Sequence, residues 1–188
     1  MKLEKIIIML VLVMISTTSY AARRSYDDTH DNRSASKFYF GVGVGSMRTD
    51  IPNLNTSALS WSLIAGTAIN QNLAVQIGYA NLGSTDLGSS AYLKGSSYSL
   101  NLVGLIPVTH AVSMFAKFGF ANTGVYVESG GSAGTTYSTA APTIGLGIQA
   151  GVGKMTDLRI AYDNYKFSIN NSSTYNADVT SLSVIFKF

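Results

Sequence analysis

From residue 38 to the end of this 188-residue chain, apolar side chains recur at every second position in eight successive segments. In the first, Phe38, Phe40, Val42 and Val44 alternate with Tyr39, Gly41, Gly43 and Gly45. The pattern returns over residues 59–65, 73–79, 98–106, 112–120, 144–150, 158–162 and 182–188, with Ile185 the one exception in the last. A period of two belongs to a strand, whose successive side chains point to opposite faces. The spacers alternate in length. Short ones fall at residues 70–72, 107–110 and 153–156; longer ones, rich in Ser, Gly, Thr and Asn, fall near 49–57, 83–92, 127–140 and 168–177. Three tight turns at one rim and four loops at the other is the arrangement of an up-and-down sheet.

Alternation alone does not say which face is wet. A soluble barrel with an apolar interior would need an outer face studded with charge. Only 12% of this chain is charged, against roughly 25% for an ordinary soluble domain. The second face is mostly Gly, Ser, Ala, Gln and Asn, with Lys117, Arg159, Asp163 and Lys187 as its charges within strands. Small and polar residues suit the cramped lumen of an eight-stranded barrel, so the aliphatic and aromatic face meets lipid. Lipid leaves no partner for an open sheet edge, which requires closure. The expected fold is all-β: an eight-stranded antiparallel up-and-down transmembrane β-barrel over residues 37–188. Aromatics near strand ends, among them Trp61, Tyr79, Tyr98, Tyr126 and Tyr162, fit interfacial girdles.

Two lysines followed by an apolar run over residues 6–15, then Ser19 and Ala21 before residue 22, form the three parts of a secretory signal. The expectation is a signal peptide over 1–21, cleaved after Ala21, and a polar periplasmic leader over 22–36. A run of ten apolar residues at about 1.5 Å each spans only half of a ~30 Å hydrocarbon core, which argues against an uncleaved membrane helix.

The chain resembles the OmpA-type and opacity-type eight-stranded outer-membrane barrels in three hairpins, residues 65–83, 106–119 and 145–162, and in its ending on Phe186 and Phe188. The resemblance implies that these two phenylalanines are the signal read by the outer-membrane assembly machinery. It also implies lumen carboxylates on the third and seventh strands, where this chain has Gln76 and Ala161. The expected lumen network is therefore smaller: Lys117, Arg159 and Asp163, with Lys187 and the polar Gln76 and Gln149.

Catalysis has little to stand on. His30 lies in the leader and His110 in a tight turn, so neither reaches the loop rim where a Ser or Asp partner would complete an acid–base site. The glycine runs at 41–45 and 145–147 lie inside strands and lack a P-loop lysine. Cysteine is absent and no calcium-type carboxylate spacing occurs, so neither metal nor cofactor is expected. A net charge of +3 makes no case for nucleic acid. The expected location is the cell outer membrane, as a monomer among lipid and lipopolysaccharide. The leading role is structural or surface interaction through the loops, with Tyr92, Tyr137 and Tyr175 as candidate contacts to an unidentified surface ligand. A narrow porin-like channel is the alternative, and a lipid-modifying enzyme a second one.

Overall fold

The computed structural model describes residues 38–50, 57–86, 91–129, 134–169 and 173–188. The expected signal peptide and leader lie outside these residues. Eight antiparallel strands form a closed barrel in sequence order: β1 Phe38–Thr49, β2 Ser57–Ala68, β3 Leu73–Asp86, β4 Ala91–Pro107, β5 Val112–Ser129, β6 Thr135–Gly151, β7 Thr156–Ile169 and β8 Ser173–Lys187. β8 closes on β1 through a register running from Tyr39↔Lys187 to Thr49↔Ala177.

The three tight turns share one design. The carbonyls of Leu73, Val112 and Thr156 each accept from two backbone N–H groups across the turn: Ile69 and Asn70, Val108 and Thr109, Val152 and Gly153, at 2.8–3.1 Å. The last residue of each turn then offers its carbonyl to the next hairpin. Asn72 accepts from Leu105, Ala111 from Gly151 and Met155 from Lys187, at 2.7–2.8 Å. Thr109 Oγ1 also accepts from the Val112 amide at 3.0 Å. Backbone groups at the turn rim are thus tied from hairpin to hairpin.

Except in β3, where an extra residue at Leu82 shifts the alternation by one, the inward and outward sets hold their sides from rim to rim, but their polarity exchanges part-way up. In β7 the outward residues Leu158, Ile160 and Tyr162 give way to Asn164 and Lys166, while the inward Asp157, Arg159 and Asp163 give way to Tyr165 and Phe167. The outward face of β5 changes from Met114, Phe118 and Phe120 to Asn122 and Gly124, and its inward face from Lys117 and Gly119 to Ala121 and Val125. In β8, outward Phe186, Val184 and Leu182 become Thr180 and Asp178, as inward Ser183 and Ser181 become Val179 and Ala177. Toward the turn rim the sheet is built for lipid outside; toward the loop rim it is built for water outside and packs an apolar interior.

That interior is a cluster of Met47, Ala58, Ala80, Leu82, Leu93, Ala121, Val125, Tyr165, Phe167, Ala177 and Val179, with Val127 and Tyr175 packed against it. It corrects the expected loop boundaries. Strands run on to Asp86, Ser129 and Ile169 and resume at Ala91, Thr135 and Ser173, inside segments whose Ser/Gly/Thr composition reads as loop. The inward residues Leu82, Leu93, Val125 and Phe167 supply the burial that extends them.

Two ladders stop short of the loop rim. The β2–β3 register ends at Trp61↔Asn81 and the β6–β7 register at Ile144↔Asn164, whereas the other six continue. The first break sits at a bulge between Asn81 and Gly83. Gly83 has φ of +81°, and a Cβ there would crowd the Leu59 carbonyl and Ala58, so a side chain is excluded on both counts. At the second break, side chains replace backbone pairing: Thr143 Oγ1 donates to the Asn164 carbonyl at 2.7 Å, and Thr139 Oγ1 accepts from the Ser168 amide at 3.0 Å. Beyond these seams β7-β8-β1-β2 and β3-β4-β5-β6 face each other as two sheets across the apolar cluster.

Candidate functional site

The lumen below that cluster carries the chain's buried chemistry. Along β7, alternate positions put Asp157, Arg159 and Asp163 on the inward face, and facing strands supply their partners. Arg159, 4% exposed, donates from Nε and Nη2 to Gln149 Oε1 at 3.0 and 2.6 Å, and from Nη1 to Gln76 Oε1 at 2.8 Å. Tyr39 OH donates to the same Gln76 oxygen at 3.2 Å. The guanidinium lies 4.7 Å from the Phe115 ring centre and 5.7 Å from that of Tyr39, within cation–π range. Gln149 Nε2 donates to Asp157 Oδ2, and Asp157 Oδ1 pairs with Lys187 Nζ at 2.7 Å.

A second unit lies toward the loop rim. Lys117 Nζ reaches both oxygens of Asp163, at 2.8 and 2.9 Å, with the two side chains 9% and 7% exposed. Gly145 makes room for it: a Cβ there would strike Asp163 Oδ1 and the Lys117 chain. Gly66 likewise admits the Tyr39 ring. Between the two units lies a cavity of about 30 Å³ bordered by Arg159, Lys117, Asp163 and a set of serines.

Gln76, Gln149 and Arg159 meet in one cluster, and Lys187 joins it through Asp157. Asp163 pairs with Lys117, and Arg159 is held instead by two glutamine carbonyls, so the expected single network divides in two. Sequence reasoning missed Asp157, 3% exposed. It belongs to the same inward set as Arg159 by period two, but it sits one residue from a turn and so reads as solvent-facing. Phe186 and Phe188 face outward on the turn-rim side, 39% and 69% exposed. Tyr175 is not a loop residue: it lies in β8 with its ring 5.8 Å from that of Phe167, packed on the loop-rim cluster. Tyr137 is half-buried in β6, and the side chain of Tyr92 falls outside the described residues. His110 is exposed in the second turn.

Outward, apolar side chains form a continuous band bounded toward the loop rim by Trp61, Tyr79 and Tyr98. Their rings lie 5.3 and 5.0 Å apart on neighbouring strands. A closed, eight-stranded sheet with this band and a filled polar lumen is the geometry of an integral membrane barrel. The family model for the outer membrane protein beta-barrel domain matches residues 7–188. The chain belongs to this family. Solved outer-membrane barrels share its fold. Neisserial surface protein A is 17% identical with a TM-score of 0.72, over 82% of this chain and 99% of that one. Ail, the attachment invasion locus protein of Yersinia pestis, is 14% identical with a TM-score of 0.61, over 81% and 98%. The N-terminal barrel domain of Pseudomonas aeruginosa OprF is 12% identical with a TM-score of 0.58, over 80% and 97%. No curated protein sequence matches the chain. Membership of the outer-membrane barrel family places the chain in that membrane, lipid against its apolar band.

Proposed function

We propose that the protein is a non-catalytic surface-interaction barrel, exported through a signal peptide over residues 1–21 and inserted with its loop rim outward. One observation carries this reading: beyond the lipid band the strands continue as two sheets with their own apolar core and a polar outer face. Such a platform holds the strand tips rigidly above the headgroups, which lowers the ordering cost of binding. The channel alternative has less support, because the lumen is filled by the apolar cluster toward one rim and by the Arg159 cluster toward the other. A lipid-modifying enzyme has less still, since His110 lies at the turn rim, away from the proposed outer surface.

Arg48, Lys94 and Lys166 each stand on the outward face four residues beyond a lipid-band residue: Val44, Tyr98 and Tyr162 respectively. They put three exposed cations on the outer face of the platform, with Asp178 opposite Arg48. Ail has been crystallised with the heparin analogue sucrose octasulfate, which makes heparin a reasoned first probe here. Intact cells of a non-adherent bacterium expressing this chain are expected to bind immobilised heparin and epithelial monolayers above vector controls. Replacing Arg48, Lys94 and Lys166 together by Gln should reduce the heparin component. Adhesion equal to the vector, with stable conductance steps from the purified protein in planar bilayers, would move the assignment to the channel.

A further inference from the structure

The cavity between the two lumen units has a donor surplus and an uncompensated charge. Of the inward-facing ionic groups among the described residues, Lys117 is paired with Asp163 and Lys187 with Asp157. Arg159 has no carboxylate within hydrogen-bonding reach. Its guanidinium carries five N–H donors, of which three are taken by Gln149 and Gln76. Lys117 likewise has three N–H groups and two carboxylate oxygens to satisfy. Both cations line the cavity, together with Ser60, Ser62, Ser181 and Ser183.

These serine hydroxyls are built into the wall. Ser60 and Ser183 are 2% and 5% exposed, and neither they nor Ser62 and Ser181 have a side-chain hydrogen bond among the described residues. Ser62 and Ser183 flank Gly43, whose missing Cβ lets both hydroxyls approach across it. Ser99, also on the wall, has its oxygen occupied as acceptor by Asn101 Nδ2 at 3.1 Å, which leaves its proton free to donate. The carboxylate on the wall, Asp163, is spent on Lys117. Asp163 Oδ1, Asp157 Oδ1 and Asn101 Oδ1 are buried acceptors without a hydrogen bond. Of these only Asp163 Oδ1, held in the ion pair with Lys117, is on the wall, so donors still outnumber acceptors there.

A buried cation without a counter-ion is costly, and more so at the depth of a bilayer. We propose that this cavity binds one small monovalent anion, chloride in the cell, held by Arg159 and the serine hydroxyls. About 30 Å³ exceeds the roughly 10–15 Å³ that a single water requires, so the space admits one halide or one to two waters. Water would satisfy the donors but leave the charge; an anion does both.

The test is diffraction from the full chain refolded and crystallised in sodium bromide, with data collected at the bromine absorption edge. The expected result is an anomalous peak inside the barrel, within hydrogen-bonding distance of Arg159 and Ser183. In parallel, the unfolding temperature of the wild-type barrel should be several degrees higher in chloride or bromide than in gluconate at equal ionic strength. That difference should vanish in Arg159→Gln. A Ser62→Ala/Ser183→Ala double variant, which keeps the charge cluster and guards against a folding defect in Arg159→Gln, should shrink it. No anomalous peak at the cavity, or an unfolding temperature insensitive to the anion in the wild-type protein, would mean the site holds water alone and would overturn the proposal.

Discussion

Lys117 and Asp163 offer the sharpest test of how the lumen is held together. Their side chains are 9% and 7% exposed, and Nζ lies 2.8 and 2.9 Å from the two carboxylate oxygens. At that separation and an effective dielectric near 20, the attraction is on the order of 6 kcal/mol. Desolvation of two ions offsets much of it, so the intact pair contributes little net stability. Breaking it is another matter. Lys117→Met leaves a buried carboxylate facing Gly145 without its ion-pair partner, and Asp163→Leu leaves a second uncompensated cation beside Arg159. Each is expected to cost about 3–5 kcal/mol. The Lys117→Met/Asp163→Leu variant removes both ions and replaces them with apolar volume. It should fall within about 1 kcal/mol of the parent, against the sum expected if the sites were independent. Urea unfolding from lipid vesicles, followed by emission of Trp61, the one tryptophan of the chain and a lipid-facing one, reads all four proteins. Single variants costing under about 1 kcal/mol, or a double variant as unstable as the sum, would refute the argument that the pair is an enclosed unit.

Three further outcomes follow from the packing. Phe167→Ala, in the loop-rim core at 2% exposure, should cost about 3–5 kcal/mol. It should make the loop-rim third of the barrel protease-sensitive on intact cells while leaving membrane insertion unchanged. Gly145→Ala should destabilise by about 1–3 kcal/mol, because its methyl enters the Lys117–Asp163 pair. Gly124→Ala, where nothing lies within 4 Å, should stay within about 0.5 kcal/mol of the parent in the same urea assay. Leu100→Arg, in the lipid band, should cost about 2–4 kcal/mol, and Thr136→Arg, outward beyond the band, about 0–1 kcal/mol. Equal costs would place the band elsewhere.

Period two was enough to read the eight strands and their lipid face, because one face of every lower strand is apolar and the other mostly small or polar, with Val103, Phe115 and Ile185 as inward exceptions. The loop-rim extension was harder to see. There the apolar residues move to the inward set, so Leu82, Leu93, Val125 and Phe167 fall out of step with the pattern that marks the lower strands. The Ser, Thr and Asn between them read as loop. The lumen charges were legible as isolated ions on a small-residue face, since few explanations other than burial put Arg159 among glycines and alanines. Their pairing was not legible, because partners come from strands distant in sequence: Gln76 lies 83 residues from Arg159. Asp157 escaped because a turn neighbour gives no sign of facing inward.

The same strands face lipid low on the barrel, face water high on it, and enclose a packed lumen. The chain contains no cysteine, so single cysteines can be placed without background at Leu100, Thr136 and Val179. Intact cells are then treated with a membrane-impermeant maleimide. The structure predicts labelling at position 136 and none at 100 or 179. Labelling at 179 would show an open lumen, and labelling at 100 with none at 136 would mean the band and the platform are assigned to the wrong parts of the sheet.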